Sequence, residues 1–213
     1  MLKSTIPFFL ISTLLVLVLN SCGTTSIVKD FVPKALSKTS YDVSYFSDPK
    51  IDYVYKANIT VYGHELSGIF IAKKISETTH RVVFTTEFGN KLLDVEISET
   101  DFKVNAIVDE LNRNLLLRNL KTDFRLLFKN QYVLQEQLEN DAEIVYKSAI
   151  RSQSDYLFVS KKDGKLIKII RASKRKEKIN LSFTSENNIF AQSCTIEQHT
   201  LPIKITLNYF QTQ

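Results

Sequence analysis

The chain is poor in the residues that build covalent or metal-held frameworks. Two cysteines, Cys22 and Cys194, and three histidines are spread over 213 residues. No Cys-x-x-Cys occurs. His64, His80 and His199 lie in separate segments with no partner three or four residues away, so the spacing provides no converging metal ligands. G-x-S-x-G, P-loop and dinucleotide-binding fingerprints are missing. Without a catalytic constellation or a cofactor motif, the expectation is a non-enzymatic protein with no cofactor and no metal. Glycine is scarce at five, and there is no internal repeat or low-complexity tract. A net charge of +5 is mild; it suits anionic lipid headgroups and does not argue for nucleic acid.

What is present begins at the amino terminus. Lys3 precedes an apolar run from Ile6 to Leu19, broken only by Pro7, Ser12 and Thr13. That is the build of a secretory signal, and it is short of the roughly 20 apolar residues of a membrane span. The run closes on Leu19-Asn20-Ser21-Cys22, which resembles the lipobox of bacterial lipoproteins. The Cys22 thiol then stands at the membrane face, where sulfur can take a diacylglyceryl group. Cleavage before it removes residues 1–21 and frees an amine that can be acylated as well. Each buried acyl chain contributes about 0.8 kcal/mol per CH₂ to the anchor.

An acylated Cys22 leaves Cys194 without an intramolecular disulfide partner. Cys194 then reads as a small buried core residue sharing a face with Ile196. Residues 22–50 read as a lipidated terminus and tether, opening on Gly23-Thr24-Thr25-Ser26 with no clear period. Gly23 after the cysteine, with no acidic run behind it, favours the outer membrane and its periplasmic face.

Residues 51–213 read as one domain. Ala57, Ile59 and Val61 alternate with Asn58, Thr60 and Tyr62. Leu66 to Lys73, Arg81 to Glu87, Lys91 to Ile97 and Phe102 to Ala106 follow, with Gly89-Asn90 marking a turn. Period-two alternation at short spacing predicts an antiparallel meander. Val108 to Lys129 has no glycine or proline, and its leucines recur every three or four residues. That predicts an amphipathic helix, or two short ones, with Asp109 near its start. Strands resume at Ile144, and Lys162-Asp163-Gly164 predicts a hairpin between Asp155–Ser160 and Lys165–Ala172. Ile179 to Thr184, Ile189 to Glu197 and Ile203 to Tyr209 complete about ten strands around one helical insert.

The carboxylates at Asp94, Glu96, Glu99 and Asp101, and at Glu136, Glu139, Asp141 and Glu143, read as solvated faces rather than acid–base pairs. The basic run Arg171, Lys174, Arg175, Lys176 and Lys178 reads as a solvated connection between strands.

The order of these elements resembles the LolA/LolB-type lipoprotein carriers and receptors. The resemblance rests on the lipobox at Cys22, Ala57-Asn58-Ile59-Thr60-Val61 and Gly68-Ile69-Phe70-Ile71-Ala72-Lys73. It continues through Phe84-Thr85-Thr86-Glu87-Phe88-Gly89, Leu93-Asp94-Val95-Glu96-Ile97, the 108–129 segment and Leu201-Pro202-Ile203. It implies a mainly β fold, a half-open antiparallel barrel with a helical lid over an apolar cavity. It implies further that the ligand is an acyl chain or lipoprotein, and that a periplasmic carrier is a possible partner, with the lipidated cysteine pointing to the LolB-like outer-membrane receptor. The expected cavity lining is Ile59, Val61, Phe70, Phe84, Leu93 and Val95 from the strands and Leu115 and Leu116 from the lid. The alternative is a non-catalytic accessory lipoprotein of an envelope complex, with a closed core.

Overall fold

The computed structural model describes residues 26–186 and 190–210. Cys22 and segment 1–21 lie outside the described residues. The chain divides into two compact units, Met1–Asp30 and Phe31–Gln213. The described part of the first holds one 3₁₀ turn, Ser26–Val28.

The second unit contains fifteen strands and one helix among the described residues. In chain order they are β1 (Val32–Lys34), β2 (Ser40–Asp42), β3 (Asp52–Val61), β4 (His64–Lys74), β5 (His80–Thr85), β6 (Lys91–Ile97), β7 (Phe102–Ile107) and α1 (Asn114–Leu127). Then come β8 (Gln131–Val133), β9 (Glu136–Glu139), β10 (Glu143–Ile150), β11 (Gln153–Ser160), β12 (Leu166–Ser173), β13 (Lys176–Thr184), β14 (Ser193–Gln198) and β15 (Ile203–Tyr209).

Thirteen strands make one antiparallel sheet, ordered β1-β9-β10-β11-β12-β13-β14-β15-β3-β4-β5-β6-β7, while β2 pairs only with β8. The end strands β1 and β7 do not pair with each other. The expected half-open barrel of about ten strands is therefore an open sheet with more strands. The additional strands come largely from residues 32–42 and 131–139, in pieces of three or four residues. Pieces that short do not display a period of two.

The long strands follow their alternation. Tyr53, Tyr55, Ala57 and Ile59 of β3 are buried, and Lys56 and Asn58 between them are exposed. Each registers against β4, with Tyr55 opposite Phe70 and Ala57 opposite Gly68. The Asp-Gly hairpin forms as β11 and β12, with Gly164 at φ 70° supplying the left-handed turn residue.

The helix is a single one and shorter than the sequence suggests. Residues 108–113 form turns, and Arg113 is extended at φ −116° and ψ 128°. Asp109, Glu110, Asn112 and Asn114 crowd this stretch. Asp and Asn compete with the backbone for hydrogen bonds and are weak helix formers, so Asp109 lies before the helix and does not cap it. From Asn114 on, Leu116, Leu120, Phe124 and Leu127 lie on the buried face. Phe124 packs on Phe70 of the sheet at 5.8 Å between ring centroids. Each such buried side chain contributes about 1.5–3 kcal/mol.

Residues 31–50, read from sequence as the end of a tether, are part of the folded unit. Pro33 registers with Leu138 of β9. Val43 donates its backbone N–H to the Asn130 carbonyl at 2.7 Å. Phe46 then drops into the core against Tyr53, Tyr55 and Phe128, at 5.1, 5.6 and 5.6 Å. His80 fixes this segment from the sheet: its Nε2 is 2.8 Å from the Phe46 carbonyl, and its ring stacks on Phe128 at 4.4 Å.

At Gly68 of β4 the neighbouring strand β5 leaves no room for a side chain. A Cβ there would sit 2.0 Å from the Thr85 carbonyl oxygen, which is backbone and cannot rotate away. Gly68→Ala is expected to destabilise the protein by about 1–3 kcal/mol or more, as overpacking does. Urea unfolding of the variant beside wild type checks this.

Candidate ligand-binding site

An open cavity of about 670 Å³ lies where the β3–β4 hairpin meets the approach to α1. The hairpin brings Val61, Tyr62, His64, Glu65 and Leu66; the other wall is Glu110, Leu111, Arg113, Leu115 and Leu116. The hairpin turn itself is Tyr62-Gly63, both left-handed at φ 51° and 82°. That is the two-residue turn whose twist matches the flanking strands, and it places the Tyr62 side chain at the mouth. Leu111 and Leu116 form the buried part, while Tyr62 and Leu115 are 49% and 41% exposed. The walls are apolar and the charged groups, Glu65, Glu110 and Arg113, are carried by the exposed ends of the same segments. This arrangement holds an apolar body and leaves a polar end in water.

Of the eight side chains expected to line a cavity, Val61, Leu115 and Leu116 are at this one. Ile59, Phe70, Phe84, Leu93 and Val95 lie in the packed core of the sheet, none more than 8% exposed. Leu66, Leu111, Tyr62, His64, Glu65, Glu110 and Arg113 complete the walls and were missed. Pairing supplies the signal for the first of these, since Leu66 registers against Ile59 across the hairpin.

Further along α1 the helix covers a polar cluster. Asp155 of β11 accepts from Nε and Nη2 of Arg171 of β12, at 2.7 and 2.9 Å, and from Lys129 at 3.2 Å. Lys129 also lies 4.1 Å over the buried Tyr132 ring. Arg171 thus leaves the basic run in which the sequence placed it and serves as a buried ion-pair partner. Asp123 of α1 is fully buried and accepts a 2.6 Å hydrogen bond from Gln198 Nε2 of β14. Burial raises its carboxyl to about 7, against the opposing pull of the Gln198 hydrogen bond and the Arg171 charge.

The other flagged groups fall in separate places. Asp94, expected on a solvated face, is 1% exposed because its own partners cover it. Arg81 grips it with two bonds at 3.0 and 2.7 Å, and Lys91 and Asn105 add others at 2.8 and 3.3 Å. The Arg81 hydrogen bond, with Lys91 and Asn105 behind it, holds the carboxyl well below its usual range despite the opposing effect of desolvation. Glu136 and Glu139 pair with Lys147 and Lys161 at 2.6 and 2.9 Å. Cys194 is buried beside Ile196 in the core, and burial pushes its thiol up. Among the described residues no group of three or more His, Cys, Asp or Glu could hold a metal ion. No described helix is long and apolar enough to cross a membrane.

No family profile matches the chain, and no curated protein does. Solved structures show partial likeness. A LolA superfamily protein from Nitrosomonas europaea is 12% identical, over 79% of this chain and 88% of that one, with a TM-score of 0.48. An outer membrane lipoprotein-sorting protein domain from Vibrio parahaemolyticus is 6% identical, over 75% and 83%, with a TM-score of 0.43. A DUF1329 family protein from Desulfovibrio piger is 11% identical, over 75% and 84%, with a TM-score of 0.41. Identities this low leave the role of each residue to be argued from this chain's own geometry.

The depressed Asp94 carboxyl fixes a sign for pH dependence. Its stabilising contribution is complete above the unfolded value of about 3.9 and is lost as pH falls through the lower folded value. Between pH 5 and pH 3 this group is expected to lower the urea midpoint of wild type. That contribution is expected to vanish in Asp94→Asn, which is the less stable protein at pH 7.

Proposed function

We propose that this chain is a membrane-tethered binding protein that takes an acyl chain, free or carried by a lipoprotein, into the cavity beside the α1 N-terminus. The observation that carries the reading is that cavity: apolar inside, open at one end, and bounded by groups that can stay hydrated. Its volume falls within the roughly 300–1,000 Å³ of small-molecule sites. Binding of this kind requires no covalent chemistry. It runs on the difference between burying the chain here and burying it in a bilayer, at about 0.8 kcal/mol per CH₂ in either place. Two nearly equal terms make transfer reversible, as a carrier or receptor requires. Lipidation at Cys22, after cleavage of residues 1–21, would hold the domain at the outer membrane facing the periplasm. That is the LolB-like arrangement to which the sequence resemblance points, with a soluble periplasmic carrier as the partner handing over the ligand.

A second reading has its own observation. Phe46, Tyr53, Tyr55, Phe70 and Phe124 belong to one continuous buried core cluster. A closed core of that kind suits an accessory lipoprotein that only scaffolds an envelope complex.

Acyl-chain binding separates the two. Purified protein is expected to take up a fluorescent fatty-acyl probe and an acylated peptide. Leu111→Trp, which fills the cavity, and Leu66→Asp, which charges its wall, are expected to weaken uptake at least tenfold. Wild type that takes up neither probe, or variants that bind as well as wild type, would favour the scaffold.

A further inference from the structure

Three buried side-chain atoms among the described residues have no hydrogen-bond partner: Asp123 Oδ2, Gln198 Oε1 and Tyr132 OH. The first two belong to side chains already joined by the 2.6 Å bond from Gln198 Nε2 to Asp123 Oδ1. The amide orientation is fixed by a second contact, since Nε2 also lies 3.5 Å from the Asn119 carbonyl. The remaining oxygen of the amide and the remaining oxygen of the carboxyl are both acceptors, and neither has a donor. One hydrogen supplies both needs. A proton on Oδ2 gives the carboxyl a donor, and Oε1 is the free acceptor on the neighbouring group.

We propose that Asp123 and Gln198 form a proton-binding site, a neutral carboxylic acid paired to a carboxamide through two hydrogen bonds, which latches α1 to the sheet. The charged groups around it support a neutral acid. Arg171 on β12 is the cation near Asp123, and its Nε and Nη2 both donate to Asp155 on β11. Lys129, after α1, is committed to Asp155 and to the Tyr132 ring following it. At the end of β14, His199 is 3.6 Å from Glu177 of β13. An ionised Asp123 would have one amide donor and would have to share the Arg171 cation with Asp155, which is costly for a fully buried group. The raised carboxyl described above agrees with this geometry.

The sign of the coupling follows. A carboxyl whose closed-state value lies above its exposed value stabilises the closed helix fully at pH below the exposed value, about 3.9. That contribution is lost as pH rises toward about 7 and changes little beyond. Between those limits, release of one proton makes opening easier by close to tenfold per pH unit. The latch holds whether or not the cavity takes lipid, so its test requires none.

Hydrogen exchange of the full chain, extracted in mild detergent, reads it directly. After correction for intrinsic rates, exchange within 116–127 is expected to rise steeply from pH 4 to 7 and level off above. Asp123→Asn offers Gln198 the same two hydrogen bonds without a titrating proton. It is expected to keep α1 protected and nearly independent of pH, whereas Asp123→Ala exposes it at every pH. Carbon-13 NMR of aspartate carboxyls should show one signal, absent in Asp123→Asn, that titrates near neutrality. The proposal is overturned if that signal titrates near pH 4, or if Asp123→Asn retains the wild-type pH dependence.

Discussion

The structure depends on covering the inner face of a sheet that does not close. A closed barrel buries its interior with its own strands. Here the end strands never meet, and the core side chains of β3, β4, β5 and β6 need other segments over them. Three segments do this work. Helix α1 lays Leu116, Leu120, Phe124 and Leu127 on the sheet. Residues 43–46 insert Val43, Tyr45 and Phe46. Tyr132 and Leu134 fill the space after the helix. These covers are bonded to one another as well as to the sheet. Val43 reaches Asn130 beyond α1, and His80 joins the Phe46 carbonyl to the Phe128 ring. The cavity is where the cover runs out, at the turns before α1.

Much of this was legible because alternation reports burial directly. β3, β4 and β6, the Asp-Gly hairpin and the helical insert could be placed from period and turn chemistry. Alternation does not say whether a buried face is packed or hollow, so Phe70 and Val95, in the packed core, read the same as Val61 at the cavity. Segments 31–50 and 131–139 were illegible for a different reason. Their strands are too short to repeat, and they are ordered by partners far along the chain, as Pro33 is by Leu138. Polar residues misled in the same way. Asp94 alternates with apolar neighbours as a solvated residue would, and its burial depends on Arg81, thirteen residues earlier. Asp123 looks like one polar residue among many on a helix until Gln198 is placed beneath it.

The two buried carboxylate clusters show opposite solutions to one problem. Asp94 stays charged because Arg81, Lys91 and Asn105 converge on it while keeping contact with water. Asp155 is gripped by Arg171 and Lys129 at 2.7–3.2 Å. Asp123 lies near Arg171, whose Nε and Nη2 are already bonded to Asp155. The cluster therefore holds two acids and two bases, but the pairing is uneven, and the remaining carboxyl faces a neutral amide.

An open sheet also has two unpaired borders, each a row of backbone groups on which a stranger's strand could add. On β1 that border is three residues long, and Pro33 at its centre has no N–H to donate. On β7 it runs through Lys103, Val104 and Asn105, where an added chain would have to crowd the lysine and the asparagine that braces Asp94. Growth of the sheet into a fibre is thus discouraged at both borders by different means. The same protection limits which partners can dock by strand addition and steers recognition toward side chains instead.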